Sequence, residues 1–408
     1  MSAIWKGGAA SCVTYLGALL VPAYPASAAI APSVVTRADA SSQDAAAVVK
    51  KDQLSVRSNR DGSLQLVAGI VSANNLDRVV VLIAGKETKI ESDSVVRITW
   101  GDVPASFKDG RTYFNRGQFA DSAAQFRLAA GDSSARDVIK AAARLGAAHA
   151  LLRWGASDPL HFAEAGAEAT KFLADFPSNR DVPEARVLQA RAKWLAGQAG
   201  EAAQMYRAIY AEWKPTGATP GYNRELCFEA GLHAGRALLA MQPPDTLGAR
   251  EMFSSLDTVA GAALAAMNAG DPLRPILSRL QDEASLGAGY AELAGGNAKQ
   301  ASTFFQAKLA EKASTSDTLR SSAAFGLGLA LAVEGKLREA QIQFARVSGL
   351  EHYDRDRAAA AQVALAEITL KLADPDATPQ ARAWLESVAL SQGDTLAALK
   401  AREMLKKL

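Results

Sequence analysis

Residues 321–354, SSAAFGLGLALAVEGKLREAQIQFARVSGLEHYD, constrain the fold more than any other stretch, because they spell one complete helix-turn-helix unit. Ala324, Leu327, Gly328 and Leu331 recur at helical spacing and lay a stripe of small and apolar side chains on one face. Glu334, Gly335 and Lys336 read as the turn. Leu337, Ala340, Phe344 and Val347 then resume the period, so a second helix folds back and drives Phe344 toward the small residues of the first. A unit of this kind is stable only when stacked on others like it.

The rest of the chain repeats the unit loosely. Taking the bulky residue of each second helix as a marker gives Phe126, Phe172, Tyr206, Phe253, Phe305, Phe344 and Leu385. One helical turn before six of them stands a small residue: Ser122, Ala202, Ala249, Ala301, Ala340 and Ala381. A small side chain there leaves room for the neighbouring helix, and the large one fills the gap. Phe172 departs from the pattern, with Glu168 at that place and Ala169 beside it. Together Leu327-Gly328, Leu331, Gly335, Leu337, Ala340, Phe344 and Val347 make the 321–354 unit resemble a tetratricopeptide repeat. Gly110, Tyr113, Gly117, Phe119, Phe126 and Ala129 repeat the resemblance further upstream. It implies a right-handed α-solenoid of about fourteen antiparallel helices over residues 101–408. Only the interval from Phe172 to Tyr206 has the 34-residue length of that family. The others are longer, so helices are extended or loops inserted at 155–159, 215–221, 242–245 and 268–272. After the last of these, LRPILSRLQDEASLGAGYAELAGG reads as one long helix, and residues 398–408 read as the closing helix.

The N-terminal region has a different period. Residues 1–28 begin with one cation, Lys6, run through CVTYLGALLVPAY and end in Pro25-Ala26-Ser27-Ala28, the pattern of a cleaved secretory signal. The apolar run is short for a membrane span and is interrupted by Thr14, Pro22 and Pro25. Residues 29–51 lack a sustained period and read as a flexible leader. Over residues 52–100 the period becomes two, in the runs LSVRS, SLQLVAGIVSA, RVVVLIAG, ETKIES and SVVRITW, separated by turn residues. Five short strands in so few residues are expected to close as a small β-barrel, similar to the Sm-like barrels. The barrel either caps the open end of the solenoid or binds a ligand. No aromatic residue occurs between Asp52 and Thr99, and its cations are offset by acids, which argues against a nucleic-acid face.

Composition supports the helical reading and removes several functions. The 408 residues are 49% hydrophobic and only 7% aromatic, with Ala abundant enough for helices to pack closely. With 45 basic against 43 acidic residues the formal charge is +2, so no large field exists to gather nucleic acid. Beyond the signal segment Cys227 stands alone, so stability must come from packing, and it reads as a buried apolar residue. His149, His161, His233 and His352 are too widely spaced to put two metal ligands on one helical face. The close acid pairs Asp282-Glu283, Asp354 with Asp356, and Asp374 with Asp376 read as helix caps or solvated faces. Trp154, Trp194, Trp213 and Trp384 read as packing anchors near helix ends. No phosphate loop, nucleophile elbow, metal-binding helix motif or dinucleotide fingerprint is present, so no catalytic, cofactor-binding or metal residue is assigned and no cofactor is expected.

What is left is recognition. A stack of helix pairs makes a groove walled by the first helix of each pair, and such grooves take peptides or extended protein segments. Arg136, Arg144, Arg186, Arg191 and Arg224 are the candidates to decorate it in the middle units, and in the 321–354 unit its wall would offer Phe325 and Leu329. The expectation is a periplasmic or otherwise exported, non-enzymatic scaffold that binds a protein or peptide partner of the cell envelope, without nucleic acid and without a membrane span after signal cleavage. The alternatives are an envelope-assembly or cell-wall coordination factor and, more remotely, a glycan- or peptide-cleaving helical enzyme.

Overall fold

The computed structural model describes residues 51–58, 63–213, 219–311, 316–351, 354–391 and 395–408. The expected signal segment, 1–28, and all of the leader but Lys51 lie outside them. Five strands fall where the period of two places them: β1 (Asp52–Arg57), β2 (Leu64–Asn74), β3 (Arg78–Ile83), β4 (Lys86–Glu91) and β5 (Val95–Thr99). They form one antiparallel sheet in the order β4-β3-β2-β1-β5. The register slips between Ser55 and Val56 where β1 meets β5, and between Val71 and Ala73 where β2 meets β3. Such bulges bend a sheet.

The sheet does not close, which corrects the expected barrel: β4 and β5 are its two edges and are not hydrogen-bonded to each other. The reason lies in what covers its apolar face. Leu54, Val71, Val79, Val81 and Val95 are fully buried against Phe107, Phe126 and Ile139 of the helical region, so their burial is reached without closure. A charged edge such as KETKIE in β4 is also a poor template for further pairing.

The joint between sheet and helices centres on Asp52, which is completely buried. Its Oδ2 accepts from the Val71 amide at 2.8 Å and from Arg136 Nη1 at 2.8 Å. Its Oδ1 accepts from the Gly101 amide at 2.8 Å and from Arg136 Nη2 at 2.9 Å. A second tie uses backbone: the Leu76 amide donates to the Ser178 carbonyl and the Arg180 amide to the Asn74 carbonyl, each at 2.9 Å, while the Arg180 side chain reaches the Val95 carbonyl.

Beyond the sheet the chain is a run of antiparallel helix pairs: α1 (Ala105–Asn115) with α2 (Phe119–Gly131), α3 (Asp137–Trp154) with α4 (Leu160–Asp175), α5 (Val182–Leu195) with α6 (Ala199–Tyr210), and α7 (Arg224–Leu239) with α8 (Thr246–Ala266). There follow α9 (Arg274–Ser285) and α10 (Gly287–Ala294) with α11 (Ala298–Ala310), α12 (Asp317–Val333) with α13 (Leu337–Leu350), α14 (Arg355–Leu372) with α15 (Ala377–Ser391), and α16 (Leu396–Leu405). Each helix packs on the next, and the first helices also touch one another in series, α3 with α5, α5 with α7, α7 with α9, α9 with α12 and α12 with α14. That double adjacency is the contact pattern of a helical solenoid. The stretch expected as one long helix breaks at Leu286 into α9 and α10, where Gly287 lies directly against the Phe253 ring.

The large-beside-small reading holds at side-chain level. Phe126, Phe172, Tyr206, Phe253, Phe305, Phe344 and Leu385 are all buried, as are their small companions Ser122, Ala202, Ala249, Ala301, Ala340 and Ala381. The rings lie on the first helices through glycine: a Cβ at Gly110 would come within 2.9 Å of Phe126, and one at Gly328 within 2.8 Å of Phe344. Glu168, the exception, is itself buried and accepts from Arg127 Nε at 2.9 Å and Arg144 Nη1 at 3.4 Å. A satisfied carboxylate therefore occupies the position that a small residue holds elsewhere.

Phe344 is 1% exposed and packs edge-on against Phe325, with ring centroids 5.8 Å apart. Phe344→Ala is expected to destabilise the protein by roughly 3–5 kcal/mol in chemical denaturation. Arg346→Ala, on the exposed face of the same helix, is expected to cost less than about 0.5 kcal/mol. Equal effects would contradict the helical phase of α13.

Candidate functional site

In a solenoid the first helices wall the inner side, so α3, α5, α7, α9, α12 and α14 carry whatever that side presents. Here the inner side is closely packed. Glu283 on α9 is 4% exposed and accepts from Arg236 Nη2 of α7 at 2.9 Å, from Ser322 Oγ of α12 at 2.6 Å and from the Arg357 guanidinium of α14. Arg357 in turn pairs with Glu351 at 3.2 Å and Asp354 at 3.1 Å. The Tyr290 hydroxyl donates to the Ser322 carbonyl at 3.1 Å. One carboxylate thus joins the first helices of four successive pairs.

Electrostatics follow from this geometry. Burial alone would push the Glu283 carboxyl up, but the Arg357 and Arg236 charges and the Ser322 hydroxyl outweigh it and hold the group down to about 2. Burial lowers Arg357, and the Glu283 and Asp354 carboxylates more than reverse that, so it stays cationic. Beside this cluster, Arg279 Nη2 donates to Glu229 at 2.8 Å. Burial, reinforced by Arg236, Arg191 and Arg279, keeps the His233 imidazole well below its usual range and therefore neutral.

The array also curls back on itself. Asp356, in the first turn of α14, lies in the field of Arg191 of α5 and Arg153 of α3, helices remote from it in the stack. Arg402 Nη1 of α16 approaches the Ala156 carbonyl beyond α3 at 3.5 Å. Elements far apart in the series thus come near one another. Arg153, Arg191, Arg355 and Asp356 lie near enough to feel one another's charge and form a charged rim.

The five arginines expected in the groove are mostly engaged elsewhere. Arg136 holds the sheet through Asp52, and Arg144 bridges Glu168 and Asp175. Arg186 donates to the Tyr222 hydroxyl at 2.5 Å and pairs with Glu212, and Arg224 lies over the Trp213 ring. Only Arg191 stands on the inner rim. Phe325 and Leu329, expected on the groove wall, are buried instead. The Asp282-Glu283 pair is not a solvated face: Asp282 accepts from Ser316 Oγ at 2.5 Å, and Glu283 is the hub just described. Asp354 does cap α14, accepting from the Arg357 amide, while Asp374 makes a two-point contact with Arg338. Asp376 accepts the Gln380 amide through its backbone carbonyl.

His149 bonds Glu184 at 2.8 Å, and His161 stacks on Trp154 and bonds Glu164; His352 lies outside the described residues. Cys227 is fully buried, and burial, with the Glu212 charge adding, pushes its thiol up to about 12. Among the described residues no group of three or more His, Cys, Asp or Glu side chains is arranged to hold a metal ion, and no helix is long and apolar enough to cross a membrane.

No protein family and no curated protein matches the chain. Among solved structures it is similar to a tetratricopeptide repeat protein from Parabacteroides merdae, with 17% identity and a TM-score of 0.46 over 74% of this chain and 96% of that one.

Burial raises the Asp356 carboxyl to about 6 against the opposing pull of Arg191, with Asp354 adding to the rise and Arg153 and Arg355 opposing it. A group raised in the folded state stabilises fully below its unfolded value of about 4 and loses that contribution as pH climbs through about 6. Asp356→Asn is therefore expected to raise the urea midpoint at pH 7, by on the order of 1–2 kcal/mol in stability, and to flatten part of the decline between pH 4 and 6. Asp181, also raised to about 6 by burial, and Glu225, Glu229 and Asp282, raised by burial as well, contribute to the same decline. An unchanged pH profile would contradict the placement of Asp356.

Proposed function

We propose that this protein is a non-enzymatic, exported scaffold of the cell envelope that holds a protein partner against the inner rim of its helical array. The observation that carries the reading is the approach of α3, α5 and α14, whose charged groups Arg153, Arg191, Arg355 and Asp356 act on one another although the helices are remote in the series. Charged residues on a rigid frame give register and selectivity to a docked segment. Helical stacks offer extended surfaces of this kind. The sheet, fixed to α1–α3 through Asp52 and Arg136, covers the start of the array and leaves its outer face for docking to a larger assembly. The signal at 1–28 sends the protein out of the cytoplasm.

Crosslinking in the native organism tests this. A photo-crosslinking residue at Arg355, which is exposed on the rim, is expected to capture defined envelope proteins, and the same probe at Leu128, on the outer surface and 62% exposed, to capture none of them. Arg191→Glu is expected to reduce the capture at least tenfold. A protein that crosslinks to nothing through the rim would overturn the reading.

A further inference from the structure

At the junction of sheet and solenoid lies a cavity of about 260 Å³ between the end of β5 and α1, lined by Trp100, Phe107, Lys108, Arg111, Thr112 and Asn115 among others. Its lining contains two cations and no acidic residue. Arg111 is half-buried there, and a third cation, Arg97 on β5, lies close enough to repel it. Arg136, Arg144, Arg180, Arg224 and Arg279, also half-buried, each meet a carboxylate, a carbonyl or an aromatic ring. Among the described residues, by contrast, the side chains of Arg97, Lys108 and Arg111 form no ion pair and no hydrogen bond, and the same holds for the donors of Trp100 and Asn115.

A guanidinium partly withdrawn from water, pressed by a like charge and given no counter-ion, is an unfavourable arrangement that an anion would relieve. Burial and the Arg97 charge both act against the charged form of Arg111, and among the described residues nothing acts for it. The surrounding groups suit an oxyanion: a planar fork of donors from Arg111, an ammonium from Lys108, an amide from Asn115 and an indole N–H from Trp100. Thr112 is held in place by donating its hydroxyl to the Lys108 carbonyl at 2.9 Å. The cavity is smaller than the roughly 300–1,000 Å³ usual for a drug-sized ligand. Because it opens to solvent, it can take a small molecule or the end of a larger one.

We propose that this cavity is a binding site for a small oxyanion, carried as a carboxylate or a phosphate, gripped by Arg111 and Lys108 beside Trp100. It sits outside the inner rim and does not depend on the scaffold reading. Because Gly101, in the same cavity, donates its amide to Asp52, a ligand there would also bear on the joint that fixes the sheet.

The test uses the intact protein labelled with 5-fluorotryptophan, the Trp100 resonance being identified by its loss in Trp100→Phe. Inorganic phosphate and N-acetylglycine are titrated separately at constant ionic strength against sodium chloride. At least one is expected to shift the Trp100 line saturably, and which one does so identifies the carrier. Arg111→Gln is expected to weaken the response tenfold or more, the equivalent of one charge-assisted contact, with the other tryptophan lines unmoved. Should that variant fail to fold, Lys108→Gln, at an exposed position, replaces it and is expected to weaken binding severalfold. A Trp100 line that follows both probes no further than it follows chloride, or a response that survives the substitution, would overturn the proposal.

Discussion

Glu283 carries a full negative charge into a place that water hardly reaches, and the two guanidiniums that compensate it come from helices on either side, Arg236 on α7 and Arg357 on α14. Three ionised groups that are each less than a tenth exposed have given up hydration worth several kcal/mol apiece. They can persist only as a set. Removing one leaves the others buried without a partner, which typically costs about 3–5 kcal/mol. An ordinary helical stack depends on nearest neighbours alone, and each repeat can loosen with only its neighbours noticing. Here one carboxylate spans α7, α9, α12 and α14, so the middle and the end of the series are bound into a single cooperative body.

Reaching that arrangement requires the helices to come close. The first helices achieve it with alanine and glycine: Ala359, Ala361 and Ala366 on α14 are fully buried, and the rings of α2 and α13 rest on glycines where a Cβ would clash. Close backbones bring α14 within reach of α9, and the long arginine side chain covers the rest. The sheet is joined by the same device at smaller scale, with buried Asp52 accepting four hydrogen bonds, two of them from Arg136. In both places an arginine fork and a buried carboxylate fix the relative position of elements that apolar contact alone would leave free to slide.

Much of the fold was legible in the sequence because it is local. The alternation of β1 to β5, the turn at Gly335 with its φ of +78°, and the marker residues from Phe126 to Leu385 all follow from spacing within one element or one hairpin. The charges were not legible. Arg136 and Asp52 are 84 residues apart, and Arg357 and Glu283 are 74 apart. Neither member of such a pair carries a local sign of its partner. Asp282-Glu283 therefore read as a solvated face, and Arg136, Arg144, Arg186 and Arg224 read as groove residues. One signal did exist: Glu168 stood where the pattern called for a small residue, and a polar side chain at a core position is the mark of a buried ion pair. Barrel closure was missed for a related reason. Five short strands, most of them with an apolar side, declare a face to bury, but whether other strands or helices cover it is decided by Phe107, Phe126 and Ile139, which lie beyond the sheet in the chain.

Taken together, these features describe a helical array braced from within by ion pairs, with its remaining charged surface gathered on a narrow inner rim. Hydrogen exchange, read peptide by peptide on the Glu283→Gln protein, tests the bracing directly. If the hub ties the array together, protection falls in α7 and in α14 as well as in α9, even though α7 and α14 are not neighbours in the stack. A loss confined to α9, α10 and α12, with α14 as protected as in the parent protein, would contradict the account and return the chain to an ordinary nearest-neighbour solenoid.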